Sequence, residues 1–305
     1  MFIYAADRLK RMVLESVFNP FVFKKKPWET FIVGFVYSIV ALSISYLVFR
    51  EVAGLLTVFL VVIAVLPMMY TTIKSEEELD LKYQGEWKLL QEHAKVIFFL
   101  LFLFMGITTA LVFSYVVLPQ EAVHEIFDLQ EKAIGNVNKY VQGNTIEGVV
   151  VQGTITGNVT KFNIFVKIII NNLKVLFFCL VFSLLYGTGA IFILTWNASV
   201  IAAAIGNLIK NKLAETASMM GVGWASSYLG VVTFSFFKYM FHGILEITAY
   251  FIMALAGGIL SMAIIKKDMG SDNVVTDVLD LVLISLGFLL IAGIAEVYIA
   301  PLLFR

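Results

Sequence analysis

Residues 30 to 49 run for twenty positions without a charged side chain. A stretch of about 20 apolar residues is the length an α-helix needs to cross the hydrocarbon core of a bilayer. Water offers such a run no stable place, and lipid cannot hydrogen-bond its backbone. The chain must therefore close its own hydrogen bonds as a helix. The run is one of several. Across 305 residues, 60% are hydrophobic and 14% are charged, where a soluble domain carries about a quarter charged. Membrane lipid is thus the first partner the sequence demands. The fold class is all-α, a polytopic transmembrane helix bundle of about seven spans, with a range of six to eight.

The spans are expected at 30–49, 52–73, 96–118, 165–195, 224–241, 242–266 and 276–300. Arg50 and Glu51 form a tight polar turn between the first two, and Pro119 stops the third. Gly187, Trp196 and Asn197 interrupt a long apolar stretch. A short re-entrant or interfacial helix is therefore expected near 198–210, a conformation tolerated only where backbone is buried in protein or lines a cavity.

Four regions follow. Residues 1–29 read as an N-terminal amphipathic segment, with Ala5, Leu9, Met12, Val13, Val17 and Phe18 near helical spacing and six basic residues. Residues 30–73 form a two-span hairpin. Residues 74–95 carry ten charges in 22 positions and read as a solvated linker. Residues 96–301 form a five-span core that includes a long polar loop, 119–162. In that loop Val123, Ile126, Phe127 and Ile134 mark an amphipathic helix, and residues 143–160 read as a loop or short strands. The apolar stretch that follows residue 29 is too long for a signal-peptide core, so no cleavable leader is expected.

Basic residues favour the cytoplasmic side. The six in residues 1–29 place that segment in the cytoplasm of a cell-membrane protein, and seven crossings then put the 74–95 linker and Lys266–Lys267 on the same side. Loop 119–162, with three lysines in 44 residues, and the C-terminus fall outside. Asn158 begins an Asn-Val-Thr sequon there. A full span at 198–210 would flip the later half.

The formal charge is zero, from 22 basic and 22 acidic residues, which gives no footprint for nucleic acid. The lone Cys179 cannot form an internal disulfide or a thiolate metal site. No P-loop, Gly-x-Ser-x-Gly or His-Glu-x-x-His motif is present, and no cofactor is indicated.

Ionisable residues at membrane depth are costly and need a partner or a task. His242, Glu246 and Tyr250 fall at i, i+4 and i+8 on one helical stripe, which Ala254 and Gly258 continue. Gly257 and Ser261 make a neighbouring small pair, suited to close helix approach within the chain or between two copies in a homodimer. Gly187 and Gly243 join this set of packing positions. Asn171, Asn172, His242, Glu246 and Glu296 are expected to converge in the outer half of the bundle, with Asn197 as a further intramembrane polar position toward the opposite side.

Three roles compete for this cluster. It can be a structural tie between helices, part of a path for a proton, ion or solute, or a metal-dependent catalytic site. His-x-x-x-Glu supplies two ligands from one helical turn and zinc needs at least three. His93 and His124 lie elsewhere, in polar segments. No enzyme activity, metal site or catalytic residue is therefore expected.

The ordered set Asn171-Asn172, Gly187, Asn197, His-Gly-Ile-Leu-Glu at 242–246, Gly257-Gly258 and Ala-Glu-Val-Tyr-Ile-Ala-Pro at 295–301 resembles the stage II sporulation protein M family of integral membrane proteins. The resemblance covers about 96–301. Residues 30–95 look like an addition to it, and Ala198 stands where the family often has Gly. The resemblance implies a non-catalytic membrane scaffold or assembly protein that anchors envelope-associated protein partners. A transporter or channel that uses His242 and Glu246 is the alternative.

Overall fold

The computed structural model describes residues 27–80, 86–142, 161–186, 189–217, 224–266 and 272–304. The N-terminal amphipathic segment, residues 143–160 with Asn158, and Gly187 lie outside the described residues. So do Lys267 and most of the linker's side chains.

Eight long helices carry the fold: α1 (Pro27–Val48), α2 (Ala53–Asp80), α3 (Glu86–Val117), α4 (Gln120–Gln142), α5 (Lys161–Tyr186), α6 (Ala190–Ala217), α7 (Trp224–Lys266) and α8 (Asp272–Ile294). A single 3₁₀ turn, Arg50–Val52, joins α1 to α2. A π-helical turn, Ala295–Ile299, extends α8 into a last short helix, α9 (Ala300–Leu303). Seven of the eight long helices are apolar enough to cross a membrane, and α4 is the exception.

The crossings alternate between two ends. The near end holds the starts of α1 and α3, the α5–α6 turn and the close of α7. The far end holds the 3₁₀ turn, α4, the start of α5 and the C-terminus. Thr30 Oγ1 of α1 donates to Phe99 O of α3 at 3.2 Å, which fixes those two helices as parallel neighbours near the near end. Phe304 packs edge-on against Phe234 and Phe241 at the far end.

The span count of seven agrees with the expectation, but two boundaries differ, and the differences offset each other. Residues 198–210 are not a short re-entrant helix; they are the middle of α6, a 28-residue helix. Residues 224–241 and 242–266 are not two spans but one 43-residue helix, α7. One span is gained and one lost, so the flip considered for the later half does not occur. At 1.5 Å per residue α7 is about 64 Å long, roughly twice a hydrocarbon core. Lys238 and His242 do not break it, because neither side chain removes a backbone N–H or forbids helical geometry.

Helix α7 is the axis of the bundle. Its most apolar window is 88% buried, against 28% for α1 and α5. It touches α2, α3, α5, α6, α8 and α9. The small residues on it are used inside the chain. A Cβ on Gly257 would stand 2.7 Å from Leu180 O and 2.9 Å from Ser183 Cβ of α5. Ala254 and Ser261 are both 4% exposed, and Gly258 is buried. Gly243 differs, since a Cβ there would meet only Met240 Cε, at 3.9 Å.

Helix α1 is bound to α3 by a stripe that the sequence reading did not single out. Thr30, Gly34, Ser38, Ala41 and Ser45, with Leu42, are its buried face. Small side chains at i, i+4 spacing let two backbones approach without a hydrophobic driving force between them. A Cβ on Gly106 of α3 would collide with Phe31 O, and one on Gly34 with Leu103 O. The N-terminal hairpin is thereby keyed into the five later spans.

Helix α4 lies on the far end against α2 and α6. Val123, Ile126 and Phe127 are each no more than 2% exposed, while Glu121, His124, Glu125 and Lys132 are exposed. Four polar contacts pin it: Arg50 Nε to Glu125, Tyr115 Oη to Glu131 at 2.6 Å, Gln130 Nε2 to Ser199 Oγ at 3.2 Å, and Lys210 Nζ to Gln120 Oε1 at 3.3 Å.

Candidate functional site

The polar cluster forms where α5, α7 and the π turn of α8 meet in the far half of the bundle. Asn172, 8% exposed, donates through Nδ2 to Glu246 Oε1 of α7. Asn171 Nδ2 approaches Asn172 Oδ1 at 3.5 Å, a weak extension of the same chain. Glu296 stands within electrostatic reach of Glu246. Tyr250, one turn beyond Glu246, is 2% exposed and lies within reach of both carboxylates and of Cys179. His242, one turn before Glu246, keeps Nδ1 sealed from solvent with no hydrogen-bond partner.

The i, i+4 progression on α7 and its contact with α5 produce this meeting. Asn172 faces Glu246, and Leu180, eight residues further along α5, faces Gly257, eleven residues further along α7. The two helices therefore run parallel in close contact, and the glycine sets the spacing that lets a short Asn side chain reach Glu246.

Glu296 lies in the π turn. The Ala300 N–H bonds Ala295 O, five residues back. In that register the next donor would be residue 301, which is Pro301 and has no N–H. The Glu296 carbonyl is therefore left without that backbone donor. A π turn also rotates the helix by one residue and often marks a functional position.

Asn197 does not join the cluster. It sits on α6 toward the near end, and its Nδ2 donates to Ile193 O of its own helix at 2.8 Å. Lys238 also lies apart, 6.0 Å over the Phe234 ring. Neither Glu246 nor Glu296 is ion-paired among the described residues. Among those residues, no three His, Cys, Asp or Glu side chains are grouped as metal ligands. A small apolar cavity lies elsewhere, in the near half, lined by Met69, Leu100, Ser183, Ala190 and Phe251.

A second buried polar group was missed in the sequence. Gln130 is 1% exposed, and its Oε1 has no partner. A glutamine on the apolar stripe of α4 with Ile126 and Phe127 was the available signal.

Seven apolar crossings, one of them the long central helix α7, define a multi-pass membrane protein. The sequence profile of the family described as Stage II sporulation protein M matches residues 95–301. The chain belongs to that family. The match takes in α4 to α8 and residues 95–117 of α3, and leaves α1 and α2 outside. No curated protein and no solved structure matches the chain.

Proposed function

We propose that the protein is a non-catalytic platform in the cell membrane that holds envelope-associated protein partners, with its far end outside the cell. The observation that carries this reading is α4. It is the one long helix of the described set that does not cross, it is fixed to the bundle through one face, and it offers a charged face to solvent. A helix held this way is a rigid surface for another protein and not a slack connection. The family's sporulation name fits a role in assembly at the envelope. The six basic residues before the first span support a cytoplasmic N-terminus.

The test follows from the packing. Deleting 120–160 would strip Val123, Ile126 and Phe127 from the core, so loss of partners would be ambiguous. Reversing the charges of exposed Glu121 and of the half-exposed Asp128–Lys132 ion pair, in Glu121→Lys, Asp128→Lys and Lys132→Glu, leaves the apolar buried face alone. Partners recovered by crosslinking from native membranes should fall at least fivefold, with insertion unchanged. Undiminished recovery would count against the platform.

The second reading is ion or solute movement, favoured by ionisable residues on membrane-spanning helices, His242 and Glu246 on α7. It requires flux into proteoliposomes that Glu246→Gln abolishes.

A further inference from the structure

We propose that the outer face of α5 around Lys174 is a docking surface for a membrane-spanning helix of another protein, one that carries an acidic side chain at mid-membrane. The most apolar window of the Lys161–Leu185 span is 28% buried, against 88% for α7, so α5 keeps much of its surface outside the bundle. Lys174 is exposed on that surface. It lies 13 residues from Lys161 and 11 from Leu185, about 20 and 17 Å of helix. A cation is thereby presented near the middle of the hydrocarbon layer, where charge facing lipid is costly. Its exposure shows that contacts within the chain leave the side chain open to a neighbour.

The charge belongs to a stripe. Asn163, Lys167, Asn171 and Lys174 fall at i, i+4, i+8 and i+11, one face of a helix. Helix α5 holds three lysines and no acidic residue, so the opposite charge must come from elsewhere. Toward the near end the outer surface turns aromatic. Phe177, Phe178 and Phe182 are all exposed, and the Phe178 ring lies 5.7 Å from Phe177 and 6.3 Å from Phe182. Aromatic side chains supply contact area to an interface, and a charge fixes its register.

Depth and charge select the occupant. A lysine stem reaches roughly 6 Å, and the headgroup layer begins about 15 Å from the mid-plane. A lipid phosphate is therefore beyond Lys174, although Lys167, seven residues nearer the far end, is placed to reach that layer. A second copy that offered the same face would set Lys174 against Lys174, and like charges repel. An acidic side chain on a neighbouring helix meets the ammonium at its own depth, and the charge-assisted hydrogen bond satisfies both groups in lipid. Asn171, half-buried on the same stripe, adds an amide to that contact.

This surface is separate from α4 and does not rest on the platform reading. Charge reversal on α4 is read by partner recovery, and the α5 surface is read by a defined peptide. The experiment uses the full chain, fluorescently labelled, in phosphatidylcholine vesicles. The probe is a leucine-rich transmembrane peptide of about 21 residues with one central Glu, and its twins carry Gln or Lys there. Energy transfer between protein and peptide measures association. The Glu peptide should bind about tenfold tighter than the Gln peptide or better. Lys174→Gln should erase that preference, and Lys174→Glu should transfer it to the Lys peptide.

Lys238→Gln should leave the preference unchanged. Equal binding of the Glu and Gln peptides to wild-type protein overturns the proposal, and so does a preference that survives Lys174→Gln. Loss of the preference when phosphatidylglycerol replaces phosphatidylcholine assigns the face to a lipid headgroup and overturns it as well. Energy transfer between two differently labelled copies that Lys174→Gln abolishes assigns the face to a second copy, with the same consequence. If Lys174→Gln fails to insert, Lys174→Met, unbranched and uncharged, takes its place.

Discussion

Replacing Gly257 and Gly243 with alanine makes the same chemical change on one helix, with opposite expected outcomes. Both substitutions relieve glycine's helix penalty, about 1 kcal/mol. At Gly243 the new methyl meets only Met240 Cε at 3.9 Å, so the relief is kept and stability holds or rises. At Gly257 the methyl would lie 2.7 Å from Leu180 O and 3.3 Å from Leu184 N. Those are backbone atoms of α5, which no rotamer change can move. The helices must separate by several tenths of an ångström, and overpacking of this kind costs about 1–3 kcal/mol. Because the propensity gain is common to both, the difference between the two variants isolates the contact cost. At about 2–4 °C per kcal/mol, Gly257→Ala should unfold roughly 2–12 °C below Gly243→Ala. Intrinsic fluorescence during heating in a mild detergent measures the gap. Equal unfolding temperatures, or a more stable Gly257→Ala, would refute the close seating of α5 on α7.

Tyr115→Phe removes the bond to Glu131 but keeps the ring against Gly206 and Phe127. The expected loss is about 0.5–1.5 kcal/mol by chemical unfolding, and Tyr115→Ala should cost about 3–5 kcal/mol by leaving a cavity. Ser199→Ala should destabilise by about 1–3 kcal/mol, since it leaves a second buried atom of Gln130 unpaired. Gln130→Met removes the unpaired oxygen as well and should be nearly neutral. A larger loss in Gln130→Met than in Ser199→Ala, measured in the same unfolding series, would contradict the burial of that amide.

Composition and run length made the membrane class legible, because lipid leaves the backbone few choices. The boundaries between runs were less legible for a reason visible at two places. Asn197 looked like a helix break, yet its Nδ2 bonds Ile193 O four residues back within the helix. That bond hides its polarity without interrupting α6. Lys238 and His242 looked like a junction between spans, yet α7 passes through both, with Lys238 over an aromatic ring. Polar side chains mark membrane boundaries only when the surrounding protein cannot satisfy them.

The cluster itself was partly legible. The helical stripe of His242, Glu246 and Tyr250 is a property of spacing alone, and the approach of Asn172 needed only two helices to run parallel. Glu296 lies in the π turn that precedes Pro301, and no hydrophobic period announces such a change of register. The same argument explains why Gly34 and Gly106 were passed over. A glycine matters where another backbone touches it, and the touching partner is 69 or more residues away in the chain. The sequence pattern names the faces of helices well, and the pairing of faces is what the three-dimensional structure adds. A variant that pushes α5 off Gly257 should therefore weaken the Asn172–Glu246 hydrogen bond, although the glycine lies eleven residues, about 16 Å of helix, from that carboxylate.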